Sequence, residues 1–409
     1  MAEHGPPRIL IVARDRFPTF RVDIVELFSH FIARKMQITW LMRAAEPGPA
    51  SQRVSETSES ETVWVYGRSR NSVVAAFQIF WAHLHALSQV VMGKYDIVQC
   101  RDVLVVAPLY GITARLCRVK FTYWMSYPMS EGYISRGQDH LYQKKYVTGL
   151  FRILFGYLAR ALTLFVTLKL AHAVFAQSDL MKLLLTQQGL KADRIIAIPM
   201  GINSEKFSLP LKLNSQLYAS RPVILYVGAL DLPRRMEIPS EGVAMYLLEK
   251  PAGIFVIIGG STKREREILL KPAHRLGVAD RYVFLDHMPM TELFGYVAAA
   301  DVCLAPCPAD TTLLAVATPT KLIEYMYLGA QVVANRHPDQ EYVIRTAGAG
   351  VLTDFNAASF HQGIASAIER GDPLSVRREA AEWVRRERSY EVLANKVMQV
   401  YDQILAASV

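Results

Sequence analysis

The sequence predicts an α/β protein with two domains in tandem, each built around a parallel sheet that carries helices on both faces. Three observations support this prediction. The chain has 409 residues, too many for one compact core when domains typically contain roughly 100 to 200 residues. Short β-branched runs alternate with helical patterns, which is typical of parallel sheets. The alternation pauses at residues 204–221 and then resumes, so we expect two separate sheets.

The first domain is predicted to span residues 1–203. It begins with a β-α-β unit, because an apolar run at 8–13 is followed by a helical pattern at 22–34 and a second apolar run at 37–42. Residues 45–62 are rich in Pro, Ser, Glu and Ala and predict a surface loop. Further strands of this domain are predicted at 62–66, 96–100, 121–125, 173–177 and 194–198.

The polar segment 204–221 is predicted to be a linker, and the second domain is predicted to span residues 222–375. Residues 376–409 predict C-terminal helices that return to the first domain, because their apolar positions recur at helical spacing. The second series of strands is predicted at 222–227, 253–258, 281–285, 302–305, 331–334 and 350–352.

Composition favours a globular protein with anionic partners. Hydrophobic residues make up 51% of the chain, charged residues 20%, and the formal net charge is +9. Nucleic acid is not expected, because no zinc-finger spacing, RNA-binding signature or long basic tract accompanies the charge. The four cysteines lack metal or redox spacing, so we expect free thiols and no metal site. The short polar N-terminus does not resemble a signal peptide, and we expect a cytoplasmic protein.

Two apolar stretches, at 150–171 and 68–94, allow two interpretations. The first is interrupted by Arg152, Arg160 and Lys169 and never reaches 18 uninterrupted apolar residues, so a transmembrane helix is not expected. Each stretch can be a buried helix of the first domain, or it can lie in a membrane interface with its basic residues near lipid headgroups. The buried interpretation is favoured for both.

Residues 317–329 predict a helix whose N-terminus can bind an anion. Thr318 can cap this helix, Pro319 suits its first turn, and Gly329 suits its end. Unpaired N–H groups, the helix dipole and the charge of Lys321 favour a phosphate there. Glu324 lies on the same face and can accept from hydroxyl groups, so the pattern indicates a ligand with phosphate and sugar. The alternative is a surface helix with an ordinary Lys–Glu pair.

Six segments have a characteristic order and spacing along the chain, and they lie at 173–178, 198–203, 225–230, 283–289, 300–306 and 319–324. Together they resemble the GT-B glycosyltransferases, specifically retaining glycosyltransferase family 4, over nearly the whole chain. The resemblance implies a GT-B architecture, in which two Rossmann-like domains with parallel sheets face each other across a cleft and a C-terminal helix packs back on the first domain.

The resemblance implies that the second domain holds a nucleotide diphosphate-sugar. Gly228 would let the backbone approach the diphosphate, and Glu324 would hold the ribose. Arg235 and Lys321 are the implied catalytic residues, since fixed cations stabilise the negative charge that develops on a leaving nucleoside diphosphate. The implied donor-binding residues are Gly228, Arg234, Arg235, His287, Thr318, Pro319, Thr320, Lys321 and Glu324.

Acceptor-side candidates follow from their positions, because loops at the carboxyl ends of the first-domain strands should line the site. Their basic members suit a phosphorylated or lipid-diphosphate acceptor. The expected partners are therefore a nucleotide-sugar donor, a saccharide or polyprenyl-linked acceptor, and the inner face of an anionic cytoplasmic membrane. The resemblance implies a retaining, metal-independent reaction without a cofactor. The candidates are Arg21, Arg101, Asp102, Ser126 and Glu131.

The sequence departs from the family pattern at three places. Val316 stands where the family commonly has the first of two glutamates, and Ala229 stands where many members have an arginine. Residues 124–127 contain no histidine, where many members have one at the end of a first-domain strand. Asp310 is a candidate substitute for the missing glutamate. Two rivals therefore remain open, a sugar-nucleotide 2-epimerase of the same fold and a non-catalytic partner of another glycosyltransferase. A nicotinamide-dependent oxidoreductase is disfavoured, because the loop at 14–21 contains no glycine.

Overall fold

The computed structural model describes residues 5–45, 60–67, 69–208 and 222–407. The chain forms two compact units. The first contains Met1–Pro199 together with Tyr390–Val409, and the second contains Met200–Ser389. The first unit thus ends four residues before the predicted boundary at 203. Most of the predicted loop at 45–62 and of the predicted linker at 204–221 lies outside the described residues.

The first unit is built on a sheet of seven parallel strands. Their bounds are β1 (Arg8–Phe17), β2 (Gln37–Ala44), β3 (Glu61–Tyr66), β4 (Ile97–Arg101), β5 (Lys120–Met125), β6 (Ala173–Ala176) and β7 (Ile195–Ala197). The order across the sheet is β3-β2-β1-β4-β5-β6-β7. Ile9, Leu10, Ile11 and Val12 are all fully buried, as expected for a central strand covered on both faces.

Helices connect these strands. A π-helix, Asp23–Phe31, and a short 3₁₀ turn, Ile32–Arg34, join β1 to β2. Another π-helical segment, Thr163–Thr167, continues α4 into α5. The α-helices are α1 (Ser72–Val91), α2 (Ala107–Leu116), α3 (Met129–Tyr142), α4 (Tyr146–Leu162), α5 (Leu168–Leu170) and α6 (Asp179–Gln187).

The two apolar stretches form α1 and α4–α5, and the buried interpretation is wrong for most of their large side chains. Phe77 is 63% exposed, and Val147 and Phe151 are 86% and 69% exposed. The reason lies in the inner face of α4, which consists of small residues. A Cβ added to Gly156 would lie 2.6 Å from Ile134 Cγ1 of α3, so the two helices approach closely and the large residues point outward. By length and composition, Ser72–Val91 and Tyr146–Leu170 are each sufficient to cross a membrane.

The second unit repeats the same topology with six parallel strands. Their order is β10-β9-β8-β11-β12-β13, with bounds β8 (Val223–Val227), β9 (Ile254–Ile258), β10 (Tyr282–Leu285), β11 (Val302–Ala305), β12 (Val332–Asn335) and β13 (Val351–Thr353). The α-helices are α7 (Glu237–Glu249), α8 (Lys263–Arg275), α9 (Met290–Ala299), α10 (Thr312–Ala315), α11 (Thr320–Tyr327), α12 (Pro338–Ala347), α13 (Ala357–Arg370) and α14 (Leu374–Arg388).

The helical tail divides at Ser389 between the two units. α14 packs against α11 and α12 and belongs to the second unit, whereas the last helix, α15 (Tyr390–Ala406), belongs to the first. The Tyr401 hydroxyl is fully buried and donates to Gln99 Oε1 at 2.8 Å. The predicted C-terminal helix that packs back on the first domain is therefore α15, and this return starts later in the chain than residue 376.

Candidate functional site

The most concentrated candidate site lies where β8 ends and α11 begins. α11 buries Leu322, Ile323, Tyr325 and Met326 against the sheet, so its remaining face presents Thr320, Lys321 and Glu324. The Tyr325 hydroxyl accepts a hydrogen bond from the Val227 N–H at 2.9 Å. This bond ties the helix to the carboxyl end of a central strand, the edge at which parallel α/β sheets bind ligands.

The helix N-terminus is open, as expected, but its cap differs from the prediction. Pro319 is the residue that precedes the helix, and no side chain caps the first turn. The Thr318 hydroxyl instead accepts a hydrogen bond from the Met200 N–H at 2.9 Å. The capping role predicted for Thr318 is therefore wrong, and the first-turn position falls on Thr320 rather than on Pro319. The N–H groups of this turn are available to an anion.

Gly228 allows Lys321 to lie directly over the end of β8. Its φ of 142° is a backbone conformation that side chains disfavour, and an added Cβ would lie 2.5 Å from Lys321 Cε. Lys321 Nζ lies 5.2 Å from the centroid of the Tyr226 ring. The amine, the glycine backbone and the helix N-terminus therefore converge on one small volume. The approach of a diphosphate to the Gly228 backbone, which the resemblance implies, stays a prediction.

Lys321 is held in an environment that disfavours its charge. Burial is the main cause, and together with the nearby positive charge of Arg234 it lowers the pKa of Lys321 from 10.5 to about 8. Cys307, Glu324 and Asp231 act in the opposite direction. A diphosphate in this position would add negative charge beside the amine and raise its pKa again.

Glu324 supplies an acceptor on the same face of the helix. Burial raises the pKa of its carboxyl, while Lys321 and a hydrogen bond from Thr320 lower it. A partly buried carboxylate that remains available beside a cation suits hydroxyl groups as ligands.

The two arginines after β8 occupy different positions. Arg234 ends a 3₁₀ turn and bonds Asp231 Oδ1 through its Nε at 2.5 Å. Arg235 adopts a left-handed backbone with φ of 50°, which is uncommon for a residue other than glycine and often marks a functional site. Its guanidinium donates to Asp310 Oδ2 at 2.7 Å. Asp310, the candidate substitute for the missing glutamate, is therefore engaged by the implied catalytic arginine.

Two other residues of the second unit differ from Lys321 and Glu324 in their exposure. His287 is exposed in the loop after β10, and β10 is the edge strand of the sheet. Val316 is 2% exposed and belongs to the buried interior rather than to the solvent-facing side of the site. The aliphatic residue at this position therefore serves packing.

In the first unit the structure brings Asp102 and Ser126 together at the carboxyl ends of β4 and β5. Asp102 Oδ1 accepts the Ser126 N–H at 2.8 Å, and Asp102 Oδ2 accepts the Ser126 hydroxyl. Arg21 donates to the Ser126 Oγ at 3.3 Å. Asp102 has a φ of 53°, and burial raises the pKa of its carboxyl despite the adjacent Arg101 charge. Strain and a perturbed carboxyl at this sheet edge are typical of functional sites.

The remaining acceptor-side candidates have structural partners. Arg101 is fully buried and pairs with Asp15 at 2.9 Å and with Asp23 at 2.7 Å. Direct contact with an acceptor is not open to it in this arrangement, and we assign it to the support of the neighbouring loop. Glu131 lies in the first turn of α3 and pairs with Arg160 at 3.4 Å.

The parts of the chain that the structure describes contain no group of three or more His, Cys, Asp or Glu side chains that could hold a metal ion. Cys100, Cys117, Cys303 and Cys307 are free thiols, as the sequence predicted.

The family comparison concerns the unit that contains this site. Residues 221–370 match the sequence model of the family described as "Glycosyl transferases group 1". The second unit carries a group 1 glycosyltransferase domain. The match includes Gly228, both arginines, Lys321 and Glu324, so the predicted donor residues fall within the matched range.

A curated relative supports the same class over part of the chain. A D-inositol 3-phosphate glycosyltransferase from Acidothermus cellulolyticus is 29% identical over 177 residues, which cover 41% of this chain. The match spans 38% of that relative's own length.

Solved structures establish the fold over nearly the whole chain. A glycosyltransferase from Rickettsia africae has a TM-score of 0.69 at 15% identity and covers 99% of this chain and 100% of its own. HepE from Anabaena, in complex with UDP and glucose, has a TM-score of 0.68 at 14% identity, with 97% and 100% covered. A UDP-forming α,α-trehalose-phosphate synthase from Burkholderia vietnamiensis has a TM-score of 0.64 at 14% identity, with 99% of both chains covered. The chain therefore has the GT-B fold.

Proposed function

We propose that this protein is a retaining glycosyltransferase of family 4 that transfers a sugar from a nucleotide diphosphate-sugar to a hydroxyl of a saccharide or lipid-linked acceptor, in the synthesis of a cell-surface polysaccharide or glycolipid. The observation that carries the proposal is the position of Lys321. Its amine lies over Gly228 and beside the uncapped N-terminus of α11, where a diphosphate would meet a cation and free N–H groups together.

The nucleotide is proposed to be UDP. HepE was solved with UDP and glucose, and the synthase from Burkholderia vietnamiensis is UDP-forming. Both share the fold of this chain, and the fold alone does not determine the base.

The residues of the second unit would act mainly on the leaving group. As the glycosidic bond breaks, negative charge grows on the nucleoside diphosphate, and Lys321, Arg235 and the α11 N–H groups would stabilise it more strongly than the ground state. Glu324 would accept from the ribose hydroxyls. In the retaining scheme that we propose, a donor phosphate oxygen assists deprotonation of the acceptor hydroxyl, so neither a protein base nor a metal ion is required.

Binding and turnover of nucleotide sugars test this proposal. We expect a UDP-sugar to raise the melting temperature more than GDP-, ADP- or TDP-sugars, since a ligand at 100 times its dissociation constant adds about 2.7 kcal/mol. Lys321→Met should reduce sugar transfer by about 10²- to 10³-fold. The matched control is Lys271→Met, which removes an exposed lysine of α8. Absence of binding and turnover with every donor, in folded protein, would refute the proposal. The anomeric configuration of the product tests retention.

A non-catalytic role is the second candidate, and two observations favour it. Val316 stands at the position of the family's first glutamate and is buried, while Asp310 is paired with Arg235. In that case UDP binds, no donor is turned over with any acceptor, and Arg235→Ala leaves the glycan product of the cell unchanged. A Lys321→Met variant that loses both binding and transfer supports the enzyme instead.

We also propose that the protein works in the cytoplasm at the inner face of an anionic membrane, through the outer faces of α1, α2 and α4–α5. These helices carry exposed apolar residues that include Leu109, Phe151 and Leu158. They contain no Asp or Glu, whereas α2 and α4–α5 contain Arg and Lys. Apolar area with a basic balance suits anionic lipid. The acceptor is proposed to be phosphorylated or lipid-linked, in keeping with the D-inositol 3-phosphate named for the curated relative.

Vesicle flotation tests the membrane proposal. The protein should float with anionic vesicles at low salt and retain part of this binding at about 0.5 M salt, because insertion of apolar side chains is not screened. The triple variant Val147→Ser, Phe151→Ser, Leu158→Ser should lose flotation. A control triple variant, with Leu183, Leu248 and Leu374 changed to Ser, removes exposed apolar side chains elsewhere and should float normally. Equal loss in both variants, or no flotation of the unchanged protein, would contradict the proposal.

A further inference from the structure

A cavity of about 420 Å³ lies in the first unit, at the edge where β1, β2, β3 and β4 end. Its lining includes three arginines that the sequence prediction did not select, Arg14, Arg16 and Arg43. Tyr66 and His83 line the same cavity, together with Asp102. Cavities of this size hold small organic ligands, and carboxyl edges of parallel sheets are where such ligands bind.

Arg16 and Arg43 are direct neighbours on adjacent strands. They are paired in the parallel register of β1 and β2, beyond a shift in register that follows Val12. Neighbouring strands lie about 4.8 Å apart, so two positive side chains start from adjacent positions, an arrangement that disfavours folding unless something compensates the charge.

The positive charges of these arginines are not compensated within the part of the chain that the structure describes. Within it, Arg14, Arg16 and Arg43 form no ion pair with a carboxylate, whereas Arg8 and Arg101 pair with aspartates. Arg14 donates to Met129 Sδ at 2.9 Å.

Asp102 is the acidic residue in the cavity lining, and its two carboxylate oxygens accept hydrogen bonds from the Ser126 N–H and hydroxyl. One carboxyl group faces three guanidinium groups in this lining. The cavity is therefore a preformed concentration of positive charge.

The surroundings of Arg43 and His83 suit an anion with an organic portion. Gly67 lies beside Arg43, since an added Cβ would be 3.4 Å from Arg43 Cγ. His83 is bonded through Nδ1 to the Tyr110 hydroxyl at 2.9 Å, and burial lowers the pKa of its imidazole. The cavity also has an apolar wall, which includes Ile79, Tyr133 and Phe155. The ring centroids of Tyr133 and Phe155 are 4.8 Å apart in an edge-to-face arrangement.

We propose that Arg14, Arg16 and Arg43 form a subsite for a phosphate or diphosphate ester carried by the acceptor. Guanidinium groups bind phosphate oxygens in pairs, and adjacent strand positions place two of them side by side. The apolar wall takes the organic portion next to the ester. This proposal rests on the proposed glycosyltransferase function for the identity of the ligand as an acceptor, whereas the anion site itself rests on the cavity alone.

Binding of pyrophosphate and inorganic phosphate to the full chain tests the subsite. UDP is kept saturating so that the diphosphate position beside Lys321 is occupied. The double variant Arg16→Gln, Arg43→Gln should weaken pyrophosphate binding at least tenfold. The control variant Arg115→Gln, Arg118→Gln removes the same charge at the other edge of the unit, around the end of α2, and should change binding less than twofold. Affinity for UDP should be unaltered in both, and circular dichroism and the melting temperature should match those of the unchanged protein, which shows that the first unit of each variant folds.

Three outcomes overturn the inference. These are pyrophosphate binding that is unchanged in the Arg16, Arg43 variant, equal weakening in the control variant, and absence of pyrophosphate and phosphate binding to the unchanged protein. Tighter binding of pyrophosphate than of phosphate assigns a diphosphate ester, and the reverse assigns a monoester. If UDP does not bind, the proposed function fails, and the comparison of the two double variants with pyrophosphate alone still decides the subsite.

Kinetics provide the second readout. With a phosphorylated acceptor, the Arg16→Gln, Arg43→Gln variant should raise the KM for acceptor at least tenfold and change kcat less than threefold. Hydrolysis of the donor without acceptor should be unchanged. A fall in donor hydrolysis would place the arginines in the donor machinery and overturn the assignment.

Discussion

The lowered pKa of Lys321 predicts how UDP binding depends on pH. In the free protein the pKa is about 8, against 10.5 for an ordinary lysine. A bound diphosphate favours the charged amine and should restore the ordinary value, so binding takes up a proton when the free amine is neutral. Linkage then makes UDP binding about tenfold weaker at about pH 9 than at about pH 7, so the dissociation constant is about tenfold larger. Proton uptake per UDP should be roughly 0.1 at about pH 7, 0.5 at about pH 8 and 0.9 at about pH 9.

Calorimetric titration in buffers of different ionisation enthalpy measures both the affinity and the proton uptake. The matched control is Lys321→Arg, which keeps the charge but does not titrate in this range. Its affinity for UDP should vary little between about pH 7 and about pH 9, and any titration of UDP itself appears in both proteins. A constant dissociation constant in the unchanged protein, or an equal pH dependence in the Lys321→Arg protein, would show that Lys321 does not meet the diphosphate.

The same shift has a consequence for stability without ligand. The folded pKa of Lys321 lies below its unfolded value, so the charged amine destabilises the fold below about pH 8. This cost is lost as pH rises from about 8 to 10.5, because the folded protein then releases a proton that the unfolded chain still binds. Lys321→Met should therefore raise the melting temperature at about pH 7, and the difference from the unchanged protein should shrink above about pH 8.

Three further predictions concern backbone space, the hydroxyl acceptor and the C-terminal helix. Gly228→Ala should cost about 1 to 3 kcal/mol in backbone strain and abolish UDP binding. The control is Gly260→Ala, where an added Cβ meets no atom within 4 Å, and it should change neither the melting temperature nor the UDP titration appreciably. Glu324→Gln should weaken UDP binding about tenfold or more without lowering the melting temperature, because burial already disfavours the carboxylate; unchanged affinity would exclude a role in holding ribose. Tyr401→Phe removes one of two hydrogen bonds to Gln99 Oε1 and should lower the free energy of unfolding by about 1 kcal/mol in urea titrations, with UDP affinity retained; an unchanged urea midpoint would contradict the anchoring role of Tyr401.

The strands were predictable because their chemistry is local. Buried parallel strands require short β-branched runs, and all of the predicted runs became strands, including Ile9 to Val12 at the centre of the first sheet. The donor side was predictable for a related reason. Gly228 directly follows a predicted strand, and Lys321 and Glu324 lie in a short predicted helix whose ends are marked by Pro319 and Gly329. The GT-B fold and the glycosyltransferase domain are confirmed, while the roles of the individual site residues stay predictions.

Features that depend on partners distant in sequence could not be predicted. Thr318 is of a residue type that commonly caps helices. Its hydroxyl instead accepts a hydrogen bond from the Met200 N–H, 118 residues away in the chain. Arg101 ends β4, at the sheet edge where contacts to an acceptor are predicted. In the structure it is buried and forms ion pairs with Asp15 and Asp23. Either the glycines or the large apolar residues of α4 could have packed against α3. The composition of the segment is the same in both cases, so it does not predict which face of α4 is buried.

The sequence contains a signal for the arginine subsite. Arg14 and Arg16 are two residues apart, so they share one face if the strand continues past Ala13, and the structure extends β1 to Phe17. The charge of this segment and its position after an apolar run predict a loop instead. The register of β1 with β2, which places Arg43 opposite Arg16, required the structure.

The two candidate sites differ in how their charge is balanced, and this difference predicts different responses to salt. In the second unit, Arg234 pairs with Asp231 and Arg235 pairs with Asp310, so little net charge faces a donor. Donor binding there should depend more on the placement of individual hydrogen-bond donors than on long-range electrostatic attraction. In the first unit, Arg14, Arg16 and Arg43 have no carboxylate partner among the described residues. Raising the salt from about 0.05 to about 0.5 M should therefore raise the KM for a phosphorylated acceptor more steeply than the KM for the donor. Equal slopes would mean that the uncompensated arginines do not meet the acceptor anion, even if their replacement impairs transfer.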